Sequence, residues 1–167
     1  MLLTGAEIRA RRIVVASDDA DLPPEHVQQN GVDLSLHAVW RLAEAGALGR
    51  SNDDRYLPGR ETLPIGEDDW LFLPLGSYGV QFAERVRLPL DCGALAFPRS
   101  SLLRMGAHMP TAVWDAGYEG RGESLIVVGN PHGLRLQQGA RVAQLIVLRL
   151  TEAALEGYAG RYQERRP

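Results

Sequence analysis

The chain lacks lysine altogether, so that all 18 of its basic residues are arginine, and it contains a single cysteine, Cys92. One cysteine excludes a disulfide framework and gives no CxxC pair to hold a metal. Its four histidines are scattered without the spacing of zinc ligands; they are His26, His37, His108 and His132. A zinc hydrolase or zinc deaminase needs three clustered protein ligands, so the sequence argues against both.

Two further absences concern partners and location. A formal net charge of −3 and a pI near 5.8 leave no basic surplus for nonspecific binding to duplex nucleic acid. No apolar run approaches the ~20 residues of a membrane span, and the first residues lack the apolar core of a signal peptide. We therefore expect a cytoplasmic protein with neither a nucleic-acid polymer nor a membrane as its partner.

A length of 167 residues predicts one domain over 1–167. Thr4 and Glu7 form a T-x-x-E capping box, which predicts a short N-terminal helix within residues 1–12. Residues 31–42 alternate apolar with mostly polar side chains and predict a strand. Residues 46–69 are rich in turn formers and charges, and we expect an exposed excursion or a hairpin there.

Short apolar runs separated by turn signals fill most of the remaining chain, up to residue 150. This spacing is typical of an all-β sandwich or barrel. Residues 151–167 are predicted to form a polar tail with at most one helical turn before disorder.

The segment FPRSSLLRMG, residues 97–106, combines two guanidinium groups with two hydroxyls; these residues are Arg99, Ser100, Ser101 and Arg104. Such groups at a turn suit a phosphate, because they supply charge-assisted donors. On residue types alone, a polar strand end with surface arginines is the commoner explanation.

The segment WDAGYEG, residues 114–120, places Asp115 between Trp114 and a glycine-rich turn. Partial desolvation beside the indole would raise the basicity of this carboxylate. A turn aspartate that caps its own backbone is the commoner arrangement, so both interpretations stand at this point.

In their order along the chain, six segments resemble motifs of the deoxyuridine triphosphatase and dCTP deaminase superfamily: MLLTGAEIRA, VQQNGVDLSL, PRSSLLRMG, HMPTAVWDAGYEG, GARVAQLIVLRL and GYAGRYQ. The resemblance covers nearly the whole chain. It implies a distorted β jelly-roll or β-barrel of the dUTPase type with a short N-terminal helix. It also implies a homotrimer with active sites between subunits, and a deoxynucleoside triphosphate, dUTP or dCTP, as substrate with Mg²⁺.

Carried over by position, the resemblance implies roles for individual residues. Asp115 matches the catalytic aspartate, and Tyr118 matches the aromatic residue that stacks on the deoxyribose. Asp33 matches the first-motif acid near the metal, which it reaches through water. The substrate-binding set near the phosphates comprises Arg99, Ser100, Ser101, Arg104 and Gln144.

One position separates the two branches of this superfamily. The deaminases use a glutamate, on the strand after the aspartate, as general acid and base. When Asn130 is aligned with the asparagine that closes this strand, the glutamate position falls on Val127, which cannot move a proton. Glu123 is expected just before the strand, and a shifted alignment would make it the alternative acid and base.

We therefore predict a dUTP diphosphatase that releases dUMP and pyrophosphate. A dCTP deaminase or a bifunctional enzyme is the alternative, and a non-catalytic nucleotide-binding member of the fold is the third. The glycine-rich fifth motif of typical deoxyuridine triphosphatases is missing. Either Arg161, Arg165 and Arg166 replace it as a mobile clamp, or they belong to a solvated tail.

Overall fold

The computed structural model describes residues 1–163, in which β-strands predominate. The two helices are α1, Gly5–Ala10, and α2, Ser100–Arg104. The strands are β1 Val14–Val15, β2 Val27–Gln28, β3 Gly31–Leu42, β4 Arg60–Thr62, β5 Trp70–Leu73, β6 Gly76–Arg87, β7 Cys92–Pro98, β8 Ala107–His108, β9 Glu119–Val128, β10 Leu134–Gln137 and β11 Arg141–Arg149. The predicted all-β class with a short N-terminal helix is confirmed.

The strands form one large antiparallel sheet with the order β7-β11-β3-β6-β9-β8, and a separate hairpin-like pair of β10 with β5. Three short strands add to the large sheet, because β2 and β4 pair with β3 while β1 pairs with β6. The chain between β8 and β9 then approaches the opposite edge, where Trp114 bridges Ala94 of β7. The sheet is therefore nearly closed into a barrel.

The strand predicted over residues 31–42 is β3, with the same bounds. Its first half buries Val32, Leu34 and Leu36 as the alternation requires, but Asp33 and Ser35 on the other face are buried as well. A register shift between Leu36 and Ala38 then moves Val39 into the core in place of Ala38. An alternating pattern does not show where a bulge interrupts it.

Both ends of the chain contact the barrel. At the N-terminus the capping box forms, with the Thr4 hydroxyl accepting from the Glu7 N–H and the Glu7 carboxylate accepting from the Thr4 N–H. At the other end, residues 151–163 form no helical turn and lie along the barrel, where the Ala154 N–H donates to the Leu90 carbonyl. Residues 46–69 form the exposed excursion, closed by a bridge between Ala47 and Tyr56.

A search of residues 1–163 for a helix that is long and apolar enough to cross a membrane finds none.

Candidate active site

Asp115 lies at the first position of a tight turn between β8 and β9. The Tyr118 N–H donates to the Asp115 carbonyl at 3.1 Å, and Gly117 has a φ of 79°, the left-handed conformation that glycine adopts without strain. The backbone therefore holds this turn. The Asp115 side chain is exposed, and no residue in 1–163 donates a hydrogen bond to its carboxylate. Side-chain capping, the commoner arrangement for a turn aspartate, does not occur here.

A cleft of about 740 Å³ opens beside this turn. Of the predicted site residues, Asp115, Tyr118 and Glu123 line it together. The excursion, β3, β6 and the tail supply further walls through residues that sequence reasoning did not select: Trp40, Arg60, Gln81, Tyr158 and Tyr162.

Tyr118 belongs to a row of three aromatic side chains at one end of the cleft. Its ring centroid lies 5.7 Å from that of Trp114 and 5.8 Å from that of Tyr158, in edge-to-face contacts. Its hydroxyl donates to the Arg121 carbonyl at 3.1 Å. The ring is thus held in one orientation beside Asp115.

Two glycines allow tryptophans to lie flat on the strands around the cleft. A Cβ at Gly79 of β6 would overlap the Trp40 ring, and one at Gly122 of β9 would overlap the Trp114 ring. Both indoles are buried, at 7% and 6% exposure. Only glycine permits this close approach at either position.

Glu123 lies inside β9, opposite Gln81 of β6, because the strand begins at Glu119. The expectation that Glu123 precedes the strand is therefore wrong. Both carboxylate oxygens accept hydrogen bonds from Arg60, at 2.7 Å each. Val127 is four residues further along the same strand, opposite Ser77.

A second cluster lies around Asp33, whose side chain is buried within β3 and beside which Arg99 and Gln144 lie. One carboxylate oxygen, Oδ2, lies 3.3 Å from Arg99 Nε and 3.2 Å from Arg141 Nη1. Gln28 donates to the same oxygen at 3.1 Å. Burial raises the pKa of the Asp33 carboxyl, and the two guanidiniums oppose this rise.

Gln144 of β11 pairs directly with Asp33, and thus lies beside the cluster. Ser100 and Ser101 open α2 immediately after Arg99, and both are exposed, as is Arg104. The first turn of α2 has no side-chain cap, and the Leu102 N–H donates to the Arg99 carbonyl at 2.9 Å. The structure therefore places Arg99 and Gln144 beside Asp33, with Ser100, Ser101 and Arg104 following on α2.

The cleft and the Asp33 cluster are separate within one chain. Trp114 is level with Ala94 of β7, whereas Arg99 follows five residues later along the same direction. At the ~3.3 Å rise of a strand residue this is roughly 16 Å. Within the described part of the chain, the cleft lining includes no member of the Asp33 cluster.

Residues of the C-terminal tail form hydrogen bonds with the backbone of the Asp115 turn. The Tyr158 N–H donates to the Ala116 carbonyl at 2.8 Å, and Gln163 donates to the Gly117 carbonyl at 3.1 Å while accepting from the Glu119 N–H at 3.0 Å. Arg161 is exposed. The other two arginines of the predicted clamp, Arg165 and Arg166, lie outside the described residues.

Residues 1–163 contain no cluster of side chains that could coordinate a metal ion by themselves. Among residues 1–163 no three His, Cys, Asp or Glu side chains are grouped as a metal site. Asp33, the predicted water-mediated ligand, directs its carboxylate at two guanidiniums. This donor set would fit only a cation that arrives with most of its ligands already supplied, for example by phosphate oxygens.

Comparison with known proteins agrees with this architecture. A family model described as dCTP deaminase-like matches residues 2–150. The chain belongs to the dCTP deaminase-like family. Within that family, it is 46% identical over 137 residues to a probable deoxyuridine 5'-triphosphate nucleotidohydrolase of Methanosarcina mazei, covering 82% of this chain and 80% of the relative.

A second relative with that description, from Archaeoglobus fulgidus, is 43% identical over 164 residues, 97% of this chain and 95% of its own length. Among solved structures, the 2'-deoxycytidine 5'-triphosphate deaminase of Agrobacterium tumefaciens superposes with a TM-score of 0.66 and 23% identity. That match covers 87% of this chain and 47% of the deaminase chain, and it shows a shared fold.

The cleft residues that the sequence analysis did not predict lie in segments whose local pattern gives little indication of a functional site. Arg60 lies in an excursion without periodicity, and Tyr158 lies in a tail predicted to be disordered. Trp40 was recognised as a strand residue, but its place beneath Arg60 depends on how β4 returns to β3. Such partners become visible only when distant segments are brought together.

Proposed function

We propose that this protein hydrolyses dUTP to dUMP and pyrophosphate. The observation that carries the proposal is the Asp115 carboxylate, which is exposed in the cleft beside Tyr118 and accepts no hydrogen bond from residues 1–163. A general base must be accessible to the water it deprotonates. The relatives' descriptions as deoxyuridine triphosphate nucleotidohydrolases support the same reaction.

In the proposed reaction, Asp115 accepts a proton from a water molecule whose oxygen attacks the α-phosphorus of the nucleotide. A P–O bond forms to that oxygen as the bond to pyrophosphate breaks. Positive groups near the phosphates bear the charge that develops there. Arg99 and the exposed hydroxyls of Ser100 and Ser101 are the groups we assign to this task, with Arg104 and Gln144 beside them.

Tyr118 is assigned to the deoxyribose. Its ring is fixed by Trp114 and Tyr158, so that it forms a rigid wall next to Asp115. By the resemblance to the family, this aromatic face would exclude a 2'-hydroxyl, and on that basis we propose a deoxynucleotide as substrate.

The active site is proposed to lie between subunits of a homotrimer. The separation of roughly 16 Å along β7 places the Arg99 segment away from Asp115 in its own chain. A second copy that presents its Arg99 segment to this cleft would bring base and phosphate sites together. The magnesium ion is proposed to enter as the counter-ion of the triphosphate, and the role of Asp33 near it stays a prediction.

The test is incubation of the protein with dUTP and, separately, with dCTP, each with Mg²⁺, while pyrophosphate and ammonia are followed independently. We expect pyrophosphate from dUTP. Ammonia from dCTP without pyrophosphate from dUTP would contradict the proposal.

A dCTP deaminase, alone or combined with the hydrolase, is the second candidate, because Glu123 lines the same cleft as Asp115. Both of its oxygens are paired with Arg60, which makes a proton-transfer role for this carboxylate the less favoured assignment. Glu123→Gln would abolish deamination and only perturb hydrolysis. Binding of dUTP without turnover at any metal concentration would instead indicate a non-catalytic member of the fold.

A further inference from the structure

Arg60 joins three parts of the cleft wall that are distant in sequence. It lies on β4, the strand by which the excursion returns to the barrel, with its guanidinium carbon 4.4 Å from the centroid of the Trp40 ring. The same guanidinium donates to both carboxylate oxygens of Glu123 in a bidentate ion pair. A planar guanidinium suits both contacts, since it stacks on an aromatic face and matches a carboxylate edge.

Each member of this assembly is braced from behind. Trp40 lies flat on the backbone of Gly79, with which it is paired across β3 and β6. Glu123 also accepts a hydrogen bond of 3.5 Å from Gln81. The side chain of Arg60 is nevertheless 47% exposed, so that a braced guanidinium faces the open cleft.

Arg60 retains hydrogen-bonding capacity after these contacts. A guanidinium has five N–H donors, and the ion pair uses one on each terminal nitrogen. No other residue of the described chain accepts from the remaining donors. Glu123, in contrast, already accepts on both oxygens. At Arg60 the wall therefore presents free N–H donors, whereas the carboxylate beside them is already engaged.

This imbalance distinguishes uracil from cytosine. Uracil carries a carbonyl oxygen at position 4, which accepts a hydrogen bond, whereas cytosine carries an amino group there, which donates. A donor-rich wall pairs with the first and leaves the second opposite another donor. Sites built to hydrogen-bond one group reject an analogue that cannot make the bond.

We infer that Arg60 is a specificity-determining residue that selects a pyrimidine with a carbonyl group at position 4 over one with an amino group there, and that Glu123 is its anchor. The inference rests on the proposed function, because it takes the base to lie in the cleft beside Asp115 and Tyr118. It assigns Glu123 a structural place in base selection in the hydrolase.

The experiment measures the binding of non-hydrolysable imido analogues of dUTP and dCTP, with Mg²⁺, to the wild-type protein and to Arg60→Gln. We expect the dissociation constant for the dUTP analogue to rise by about 10- to 100-fold, with a much smaller change for the dCTP analogue. Arg41→Gln is the matched control, since Arg41 is an exposed neighbouring arginine of β3 outside the cleft lining. It should leave both constants unchanged.

A thermal melt of each variant accompanies the binding measurement. Should Arg60→Gln melt below the assay temperature, Arg60→Met gives the same comparison, because it keeps an aliphatic side chain over Trp40 and has no N–H donor. An unchanged preference for dUTP over dCTP in the folded variant overturns the inference. So does a wild-type protein that binds neither analogue.

Turnover of dUTP is recorded separately on the same samples. A wild-type protein that binds the dUTP analogue selectively, loses that selectivity in Arg60→Gln and yet releases no pyrophosphate would reject the proposed hydrolase while supporting the role of Arg60. If the protein releases pyrophosphate but Arg60→Gln leaves the preference for dUTP unchanged, the proposed hydrolase is supported and the role of Arg60 is rejected.

Discussion

Asp115→Asn tests the chemistry of the cleft with little change to its structure. The side chain is exposed and makes no hydrogen bond with residues 1–163, while the turn is held by backbone bonds and by contacts from the tail. Surface changes of this kind alter stability by less than about 0.5 kcal/mol. For a chain of this length, that corresponds to a melting-temperature shift below about 2 °C.

The effect on catalysis should be far larger. Asparagine has nearly the same shape as aspartate but cannot accept a proton from water. Loss of a positioned base lowers kcat by about 10²- to 10⁴-fold, which at 1.36 kcal/mol for each factor of ten corresponds to about 3 to 5 kcal/mol of activation free energy. The dissociation constant for a non-hydrolysable dUTP analogue should hardly change.

The assay is steady-state release of pyrophosphate from dUTP, with thermal melting of the same sample. Asp53→Asn is the matched control, because Asp53 is an exposed carboxylate in the excursion and lies outside the cleft lining. Activity of Asp115→Asn within about threefold of wild type would refute the assignment of Asp115 as the general base. A loss of activity that follows a loss of melting temperature would refute the structural part of the reasoning.

The contacts around the barrel lead to three further predictions. Gly122→Ala should lower the free energy of unfolding by about 1 to 3 kcal/mol, because the added methyl overlaps the Trp114 ring. Thermal melting measures this loss, with Gly93→Ala as the control, because the methyl added there would lie 3.6 Å from its nearest neighbour. Asp33→Asn should raise the KM for dUTP about tenfold or more by releasing Arg99. If excess Mg²⁺ restores the KM, Asp33 acts through the metal instead. Arg11 holds the pKa of Asp91 below its ordinary value, so the stability that this carboxylate contributes is present above pH ~3.9 and is lost as pH falls through the lowered pKa. Acid denaturation of Asp91→Asn should lack that part of the decline.

Local patterns in the sequence predicted β3, the N-terminal helix and two residues of the cleft. The alternation over residues 31–42 predicted β3 with its observed bounds, because successive side chains of a strand point to opposite faces and so impose a period of two. The capping box at Thr4 and Glu7 predicted α1 for the same reason, since its contacts join residues three apart. Asp115 and Tyr118 were recognised by their place in an ordered set of motifs, and the structure puts both in one cleft.

The long-range partners of those residues were decided by the tertiary structure. Nothing in the sequence around residue 60 indicates that Arg60 binds Glu123, since that contact joins positions 63 residues apart. It exists because β4 returns to β3 and places its side chains over β6 and β9. The same reason explains why Asp33, predicted near a metal, lies buried between two arginines.

Periodicity and motif order determined which residues form strands and which belong to the candidate site, because both are read directly from the order of residues along the chain. The closure of the sheet determined what each of those residues touches. Strand pairing in a barrel joins segments that are far apart in the chain, and the local sequence does not predict which segments pair. A bulge such as that between Leu36 and Ala38 changes the face of the sheet on which the following side chains lie. The free carboxylate of Asp115 and the bound carboxylate of Glu123 look alike in the sequence, and only the fold gives them different surroundings.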